Sequence, residues 1–306
     1  MSVLKRKSNI MLVIVIVAVL VLIPLWYVTL APSILISELE KINLTTSFEG
    51  TFGKEGYIYS KSVIGGATGL DAWEIPITVT ANIYVAEVKG DNIVLRIDAT
   101  MISNDAGKAL PDPFSRNATY VFSKFTLENV KDAPEADKPR EGYDPLYPAH
   151  LKAGENMPNV WLDNLNVTAT MEFKESTREE GLTLYTYYVN ETITDMVSLP
   201  GIGLRNCTLI SAKTILVEPL SGLLAYTKEE ILDWIMNRED QSPLPLVYFK
   251  YESTDEAKTD GLATAKMGYE GLQLLELYIP TILCVVAIIL TVGLAFNIRR
   301  LRKRIP

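Results

Sequence analysis

The chain has 306 residues, 48% of them hydrophobic and 22% charged, with a formal net charge of −8. With only two cysteines and this apolar content, it is neither disordered, collagen-like nor a small disulfide-stapled scaffold. The acidic balance argues against a nucleic-acid partner, whose phosphates it would repel.

From the N-terminus, residues 1–9 form a basic tail with Lys5, Arg6 and Lys7, and residues 10–30 are a run of 21 without charge. About 20 apolar residues at 1.5 Å rise cross a bilayer core, so residues 10–30 are a predicted transmembrane helix. The run is longer than the apolar core of a cleaved leader, about 7–15 residues. Pro24, Trp26 and Tyr27 near its outer end suit an interfacial anchor, so a retained span is expected rather than a cleaved one.

The pattern then changes to a period of two. Gly65-Gly66-Ala67-Thr68-Gly69 reads as a turn, because the Lys-Ser/Thr of a phosphate loop does not follow it. Residues 75–88 alternate Ile77, Val79, Ala81, Ile83 and Val85 with polar or small partners. Residues 92–102 repeat the alternation after Lys89-Gly90-Asp91, which predicts a hairpin. Residues 118–130 alternate again through Tyr120, Phe122, Phe125 and Leu127. Five prolines within 132–159 mark a long surface loop. Val167–Glu175 and Leu182–Asn190 flank Thr-Arg-Glu-Glu-Gly as a further hairpin, and Cys207–Glu218 reads as another strand. Pro219 presets φ and Gly222 permits a positive one, so Val217–Gly222 is a predicted tight turn.

Thr227-Lys228-Glu229-Glu230 has the form of a capping box, and Ile231, Trp234 and Ile235 follow at helical spacing before Pro243 and Pro245. This predicts a short helix packed on the sheet. A second helix is expected from about Asp255 through Leu262, Ala265, Tyr269 and Leu272 into the uncharged run 277–298, the second predicted span. Residues 299–306 close the chain as a basic tail with Arg299, Arg300, Arg302, Lys303 and Arg304.

Lys and Arg accumulate on the cytoplasmic side of a membrane. A two-pass protein of the cell membrane is therefore predicted, with both termini cytoplasmic and residues 31–276 extracytoplasmic. Removing the eight terminal cations from the net −8 leaves −16 on that middle segment. The expected fold class is a membrane-anchored, mainly β ectodomain, an antiparallel sandwich or open barrel, with N- and C-terminal transmembrane helices. Ala18 and Ala287 are candidate small contact positions between the two spans.

Chemistry is sparse. His150 is the only histidine and Cys207 the only thiol between the spans, with Cys284 inside the second, so no intrachain disulfide is expected. Asp71, Glu74, Asp163 and Glu172 are candidates for a glycosidase carboxylate pair, which needs a separation of about 5–9.5 Å. No catalytic motif accompanies them, and the chain is expected to be neither an enzyme nor a carrier of a metal or cofactor. Sequons at Asn43, Asn117, Asn166, Asn190 and Asn206 make these five the candidate N-glycosylation sites.

Several short motifs resemble a known family. Trp161-Leu162-Asp163 precedes a hairpin containing Phe173, Gly181-Leu182 and Tyr185, and Val217-Glu218-Pro219-Leu220-Ser221-Gly222 resembles a Val-Asp-Pro-x-Thr-Gly turn. An Ala/Gly-rich stretch at 262–272 and Leu274-Leu275 lead into a span with Pro280 near its start. Together these resemble the PorA-like porins, a domain-of-unknown-function family of actinobacteria and archaea. The overall organisation is also similar to that of CD36-like scavenger receptors.

The resemblance implies two spans around a β-rich domain and carries no established activity with it. Neither span holds an ionisable residue to line a wet lumen, so a channel would require a homo-oligomer. The reading reached from sequence is a cell-envelope protein, partnered with the lipid bilayer, whose ectodomain binds or carries an apolar or envelope ligand. A structural or adhesive surface protein and an oligomeric porin-like channel remain as alternatives. A tunnel or a filled core would discriminate carrier from structural protein.

Overall fold

The computed structural model describes residues 41–53, 74–105, 116–199, 203–236 and 243–302, with 13, 15–18, 21–26 and 34 near the N-terminus. The glycine-rich stretch 65–69 and Asp71 lie outside the described residues. Two compact units result, one from residues 40–268 and one from the terminal segments 1–39 and 269–306.

Among the described residues the larger unit contains ten strands: β1 (Asn43–Phe52), β2 (Ile75–Lys89), β3 (Asn92–Ser103), β4 (Arg116–Ser123), β5 (Met157–Leu162), β6 (Val167–Glu179), β7 (Leu182–Leu199), β8 (Gly203–Val217), β9 (Leu224–Met236) and β10 (Pro243–Ser253); the alternating run 118–130 is strand only as far as Ser123. They pair antiparallel in the order β4-β3-β2-β1-β10-β9-β8-β7-β6-β5. Two meanders are thus joined by the pairing of β1 with β10. This sets the entry of the unit beside its exit, where Thr254 N donates to the Ser47 carbonyl at 3.1 Å.

Strands β4 and β5 would be exposed edges, and the chain between them closes the gap. Val130 N donates to Val121 O of β4, Asn129 N to Gly142 O, and Trp161 N of β5 to Tyr143 O, each at 2.7 Å. Backbone bonding therefore runs the whole way round. Of the two expected architectures the structure takes the barrel, and closes it.

The alternation expected of a half-buried strand sorts inside from outside. Along β6, Ala169 and Met171 are buried while Thr168, Thr170, Glu172 and Lys174 are exposed. The outer face is polar there and the inner face apolar, the reverse of a lipid-facing barrel. The inner half formed by β5–β8 is filled by a cluster that includes Met157, Leu162, Met171, Tyr187, Ile215 and Val217.

Two expectations are corrected. Residues 224–236 are strand β9, not a helix: Ala225, Thr227 and Glu229 are buried at a period of two, and the segment pairs with β8 on one side and β10 on the other. A Thr-x-x-Glu box with three apolar residues satisfies the helical template over one turn only. Pairing with two strands supplies a hydrogen bond for every backbone group, which one turn cannot. Pro243 and Pro245 do not lie beyond an element end but open β10, next to a bulge between 245 and 247, where a missing N–H is tolerated.

The proline-rich segment is likewise no simple surface loop. Its end forms β5, and Arg140 and Tyr147 within it are 2% and 1% exposed. Arg140 is locked by Asp163 (2.8 Å) and Asp137 (2.8 Å) with its guanidinium 3.9 Å over the Tyr120 ring.

Helix α1 (Asp255–Gln273) begins where expected, with the Thr254 hydroxyl accepting from Ala257 N at 3.1 Å and Asp255 and Glu256 in the first turn. Its glycine Gly261 allows close approach to β9, since a Cβ there would meet the Ala225 carbonyl at 2.6 Å. A π-helical turn (Leu274–Tyr278) leads into α2 (Ile279–Arg302). The helical run Asp255–Phe296 contains the one stretch, among the described residues, long and apolar enough to cross a membrane; Val15–Leu25 is a shorter apolar helix.

Within the terminal unit these two apolar helices meet. In the π turn Ile279 N donates to Leu274 O, so the next bond in register would run from residue 280 to Leu275 O. Pro280 has no N–H. The Leu275 carbonyl is satisfied instead by Trp26 Nε1 at 2.7 Å. On α2 the less exposed positions beyond Ile279 are 280, 283, 287, 290 and 294, a spacing of alternating three and four that marks one packed seam. On the N-terminal helix they are Ile16, Ile23 and Trp26. Ala287 is buried as expected of a contact position, but Ala18 faces outward and is exposed.

Candidate functional site

The half of the barrel formed by β1–β4, β9 and β10 is hollow. It forms a cavity of about 930 Å3 that is partly open to solvent. Alternate residues of β2 and β3 supply apolar walls, among them Ile83, Leu95, Ile97 and Met101, and β10 adds Phe249. Leu146 and Tyr147 from the proline-rich segment and Gly261 and Thr264 from α1 complete the wall. Leu44 and Met267, 37% and 68% exposed, mark where it meets solvent.

One side of this apolar chamber carries a polar row. Lys213 of β8, Glu229 of β9 and Tyr251 of β10 are direct cross-strand partners, so one register places all three side by side. Lys213 Nζ lies 2.5 Å from Asp144 Oδ1, which also accepts from the Tyr147 hydroxyl at 2.9 Å. The Tyr251 hydroxyl donates to Glu229 Oε2, and Ser211 Oγ to Glu229 Oε1 at 3.3 Å. Lys213, Asp144, Glu229 and Ser211 are all buried.

Electrostatics follow from that burial. Desolvation opposes the Lys213 ammonium, but Asp144, Tyr147, Glu229 and Tyr251 outweigh it and hold its pKa well above the ordinary lysine value. Burial, and then the neighbouring Glu229, push the Tyr251 hydroxyl well above its usual value. Burial, and then Asp144, do the same to Tyr147. At neutral pH the row holds a charged lysine and two protonated phenols.

Asp144 is delivered by a chain of local contacts. Asn129 Nδ2 donates to the Gly142 carbonyl (2.9 Å) and the Asp144 carbonyl (3.1 Å). Beyond Tyr147, His150 N and Leu151 N donate to the carbonyls of Leu220 and Pro219 at 3.2 and 2.8 Å. That fixes the segment on the turn at 217–222. The turn is itself built on Glu218, 1% exposed, whose carboxylate accepts from Leu220 N (3.0 Å), Ser221 N (2.7 Å) and Ser221 Oγ (2.6 Å). Gly222 has φ +72°, and a Cβ there would meet the Tyr147 carbonyl at 2.4 Å. The predicted turn is present and holds the inserted loop in place.

Two residues before Glu229 on the same face of β9, Thr227 also lines the cavity. Its backbone is partnered, with Ser253 Oγ accepting from Thr227 N (3.0 Å) and donating to Thr227 O (3.2 Å). Its hydroxyl is buried and has no hydrogen-bond partner.

The sequence-derived candidates fall elsewhere. Asn43, Asn117, Asn166 and Asn190 are exposed, and the side chain of Asn206 lies outside the described residues. Asp163 is bound to Arg140 and Lys138, Glu172 pairs with Lys174 on the outer face, and Glu74 is exposed, so Asp163 and Glu172 serve separate ion pairs. His150 sits at φ +59° in the pinned loop. Neither cysteine is in a disulfide, Cys207 being buried and Cys284 exposed. Among the described residues no group of three or more His, Cys, Asp or Glu converges as a metal site.

Sequence reasoning did not find Asp144, Lys213, Glu229 or Thr227. One signal was available for β9: a charged residue between alternating small and polar ones, Ala225-x-Thr227-x-Glu229, reads as an inward row once the segment is taken as a strand.

The geometry defines a solvated barrel with a hollow, mostly apolar half, in a chain that also carries an apolar C-terminal helix suited to a membrane. The family model described as porin PorA matches residues 10–296, and the chain belongs to the porin PorA family. No individual curated protein gives a significant match. Family and helix together indicate association with a membrane.

Proposed function

We propose that this is a cell-envelope membrane protein whose barrel, on the extracytoplasmic side, carries an apolar envelope-derived molecule in its cavity. The observation that carries the reading is the hollow half itself, about 930 Å3 with largely apolar walls. Ligand cavities are typically about 300–1,000 Å3, apolar, with a few placed polar groups. An interior serving only stability is filled, as the β5–β8 half is. The organisation would match that of CD36-like receptors, with a β-rich domain between two terminal spans.

Native mass spectrometry of the detergent-extracted full chain tests this. A co-purifying apolar adduct is expected, and Ala99→Trp, which fills the cavity from β3, should abolish it. A chain that carries no adduct and takes up none when offered apolar molecules would overturn the carrier reading.

The two basic tails and the acidic middle segment support a two-pass topology with both termini cytoplasmic. Protease applied to intact cells should digest residues 31–276 and spare tags on both ends. The exposed Asn43, Asn117, Asn166 and Asn190 are then available for N-glycosylation. Cysteines at Ile16 and Ala287, without Cys207 and Cys284, should crosslink within one chain. Purely intermolecular products would favour an oligomer.

Family membership favours a second reading, an oligomeric porin-like channel. The polar outer face of β6 opposes a pore made of strands, so conduction would fall to helices from several chains. Discrete conductance steps in planar bilayers would support it.

A further inference from the structure

We propose that the open end of the cavity docks on the bilayer leaflet that faces the barrel, so that a guest passes between leaflet and cavity without crossing water. This rests on the carrier reading and names the partner with which the cavity exchanges.

The first support is that the cavity is blind at one end. There Phe52 of β1 with Ile75 and Ile77 of β2, each 1% exposed or less, pack with Val79, Met101 and Phe249 and close it. At the other end five lining residues are exposed: Leu44 and Thr45 at the start of β1, and Asp260, Ala263 and Met267 of α1. Their spacing of three and four along α1 puts the last three on one helix face. The neighbouring face packs on the rim, where a Cβ at Gly261 would meet the Ala225 carbonyl at 2.6 Å and one at Gly268 the Leu223 side chain at 2.4 Å. The opening therefore lies between α1 and the start of β1.

The second support is where the chain enters and leaves. Strand β1 begins and β10 ends at this same end of the barrel, because the two pair antiparallel. The connection after β10 is α1 itself, which leads through the π-helical turn into the apolar helix α2. From Met267 to Leu274, where that turn starts, is seven residues, or about 10 Å of helical rise. This length is comparable to the headgroup layer that flanks a hydrocarbon core. The open end is the end with the short connection to the membrane helix.

The third support is the distribution of exposed apolar side chains. Among the described residues of the barrel unit four large ones are exposed: Leu44 (37%), Ile102 (55%), Phe125 (67%) and Met267 (68%). Three of them belong to the open end. Phe125 sits on the turn after β4, tied to the β2–β3 turn by Lys124 N donating to Asp91 O at 2.9 Å. Both turns lie at the end where β1 begins, whereas Ile102 belongs to the blind end. Single exposed apolar residues need no explanation, but their gathering at one end marks a contact surface. Lys124 and Lys266 directly precede Phe125 and Met267, a pairing of cation and apolar side chain that suits the bilayer interface.

Two measurements on the full-length protein test this. The variants Phe125→Cys, Met267→Cys and Ile102→Cys are made with Cys284→Ala, the buried Cys207 being retained. Each is labelled with bimane and reconstituted into phosphatidylcholine–phosphatidylglycerol vesicles that carry a nitroxide on the headgroup. Emission should be lost at 125 and 267 and kept at 102. Quenching at all three alike, or none at 125 and 267, would overturn the docking surface.

The second measurement uses hexadecane bearing a diazirine, dissolved in the bilayer and activated by light. Adducts on the cavity walls are expected when probe and protein share a vesicle, and their loss when the two are in separate vesicles. Equal labelling in the two arrangements would overturn direct exchange and leave the carrier reading standing. Absence of wall adducts in both, with the quenching pattern intact, would instead sink the carrier reading while the docking surface stands.

Discussion

The two halves of the barrel are built from the same kind of strand yet end differently inside. Along β5–β8, Met157, Val160, Met171, Tyr187 and Ile215 are fully enclosed, and Tyr147 reaches across from the proline-rich segment to pack with them. Along β1–β4 the inward residues Val79, Ile83, Ile97 and Met101 are only partly buried, and a cavity stands where a matching plug would be. The buried pair Lys213–Asp144 lies on the wall of that cavity, while Tyr147, hydrogen-bonded to Asp144, belongs to the filled cluster. Interiors pack at crystal-like density when stability alone is at stake. Leaving one half unfilled forgoes dispersion contacts, and a guest molecule can restore them.

The largest test of this contrast is at its boundary. Asp144→Ala leaves a buried ammonium unpaired and should destabilise the barrel by about 3–5 kcal/mol in urea or thermal unfolding of the full chain. Replacing both partners, Asp144→Leu with Lys213→Met, should recover most of that loss, because neither charge is then buried. If the single variant melts like the parent, the pair is not enclosed and the boundary is misdrawn.

The same pair sets a pH dependence. The folded pKa of Lys213 is raised, so its contribution is complete below the unfolded lysine value of about 10.4 and is lost as pH climbs through the folded one. The raised Tyr147 and Tyr251 values act in the same direction, since unfolding frees phenols to ionise. Stability should be flat near neutrality and fall above about pH 10, with a shallower fall in the double variant. A stability maximum above pH 10 would contradict the raised values.

Within the halves, Met171→Ala should cost about 2–5 kcal/mol, because it opens a new void in a filled core. Ile97→Ala should cost about 1.5 kcal/mol or less, since its neighbours already face a cavity and only the transfer of a few methylene groups is lost. Equal losses would mean that the hollow half collapses in solution.

Gly222→Val should cost about 1–3 kcal/mol, from a positive φ imposed on a branched residue and a Cβ directed at the Tyr147 carbonyl. It should also loosen the grip on the loop that brings Asp144 in. Unchanged melting would show ordinary backbone geometry at 222. The smallest effect is expected of hydroxyl removal: Thr227→Val in the hollow half and Tyr187→Phe in the filled half each delete an unpartnered buried hydroxyl. Both should be neutral or stabilising by up to about 1 kcal/mol in the empty protein. A loss above that in either would reveal a hydrogen bond at that hydroxyl.

Much of the frame was legible in the sequence because local rules decide it. The hairpins β2–β3 and β6–β7 declare themselves through alternation around Lys89-Gly90-Asp91 and Glu180-Gly181, and the pairing follows. The turn at 217–222 needs only Pro219 and Gly222. Helix α1 starts at its threonine cap, and the apolar run after it is set by length and composition alone.

The site was decided elsewhere. Thr227-x-Glu229 fits a helix cap and a strand equally well until β8 and β10 each present an open edge to the segment between them. Glu229 then becomes a buried partner of Tyr251 instead of a solvated cap. The prolines of 132–159 mark irregular backbone, but nothing local says that Asp144 will travel to Lys213, 69 positions along the chain. Ala18 and Ala287 were equivalent as small residues, and the rotation of each helix about its axis separated them. Side-chain patterns over a few residues determine which elements form. A cavity depends on which faces meet and how completely they fill the space between them, a property of residues far apart in sequence that only the closed barrel brings together.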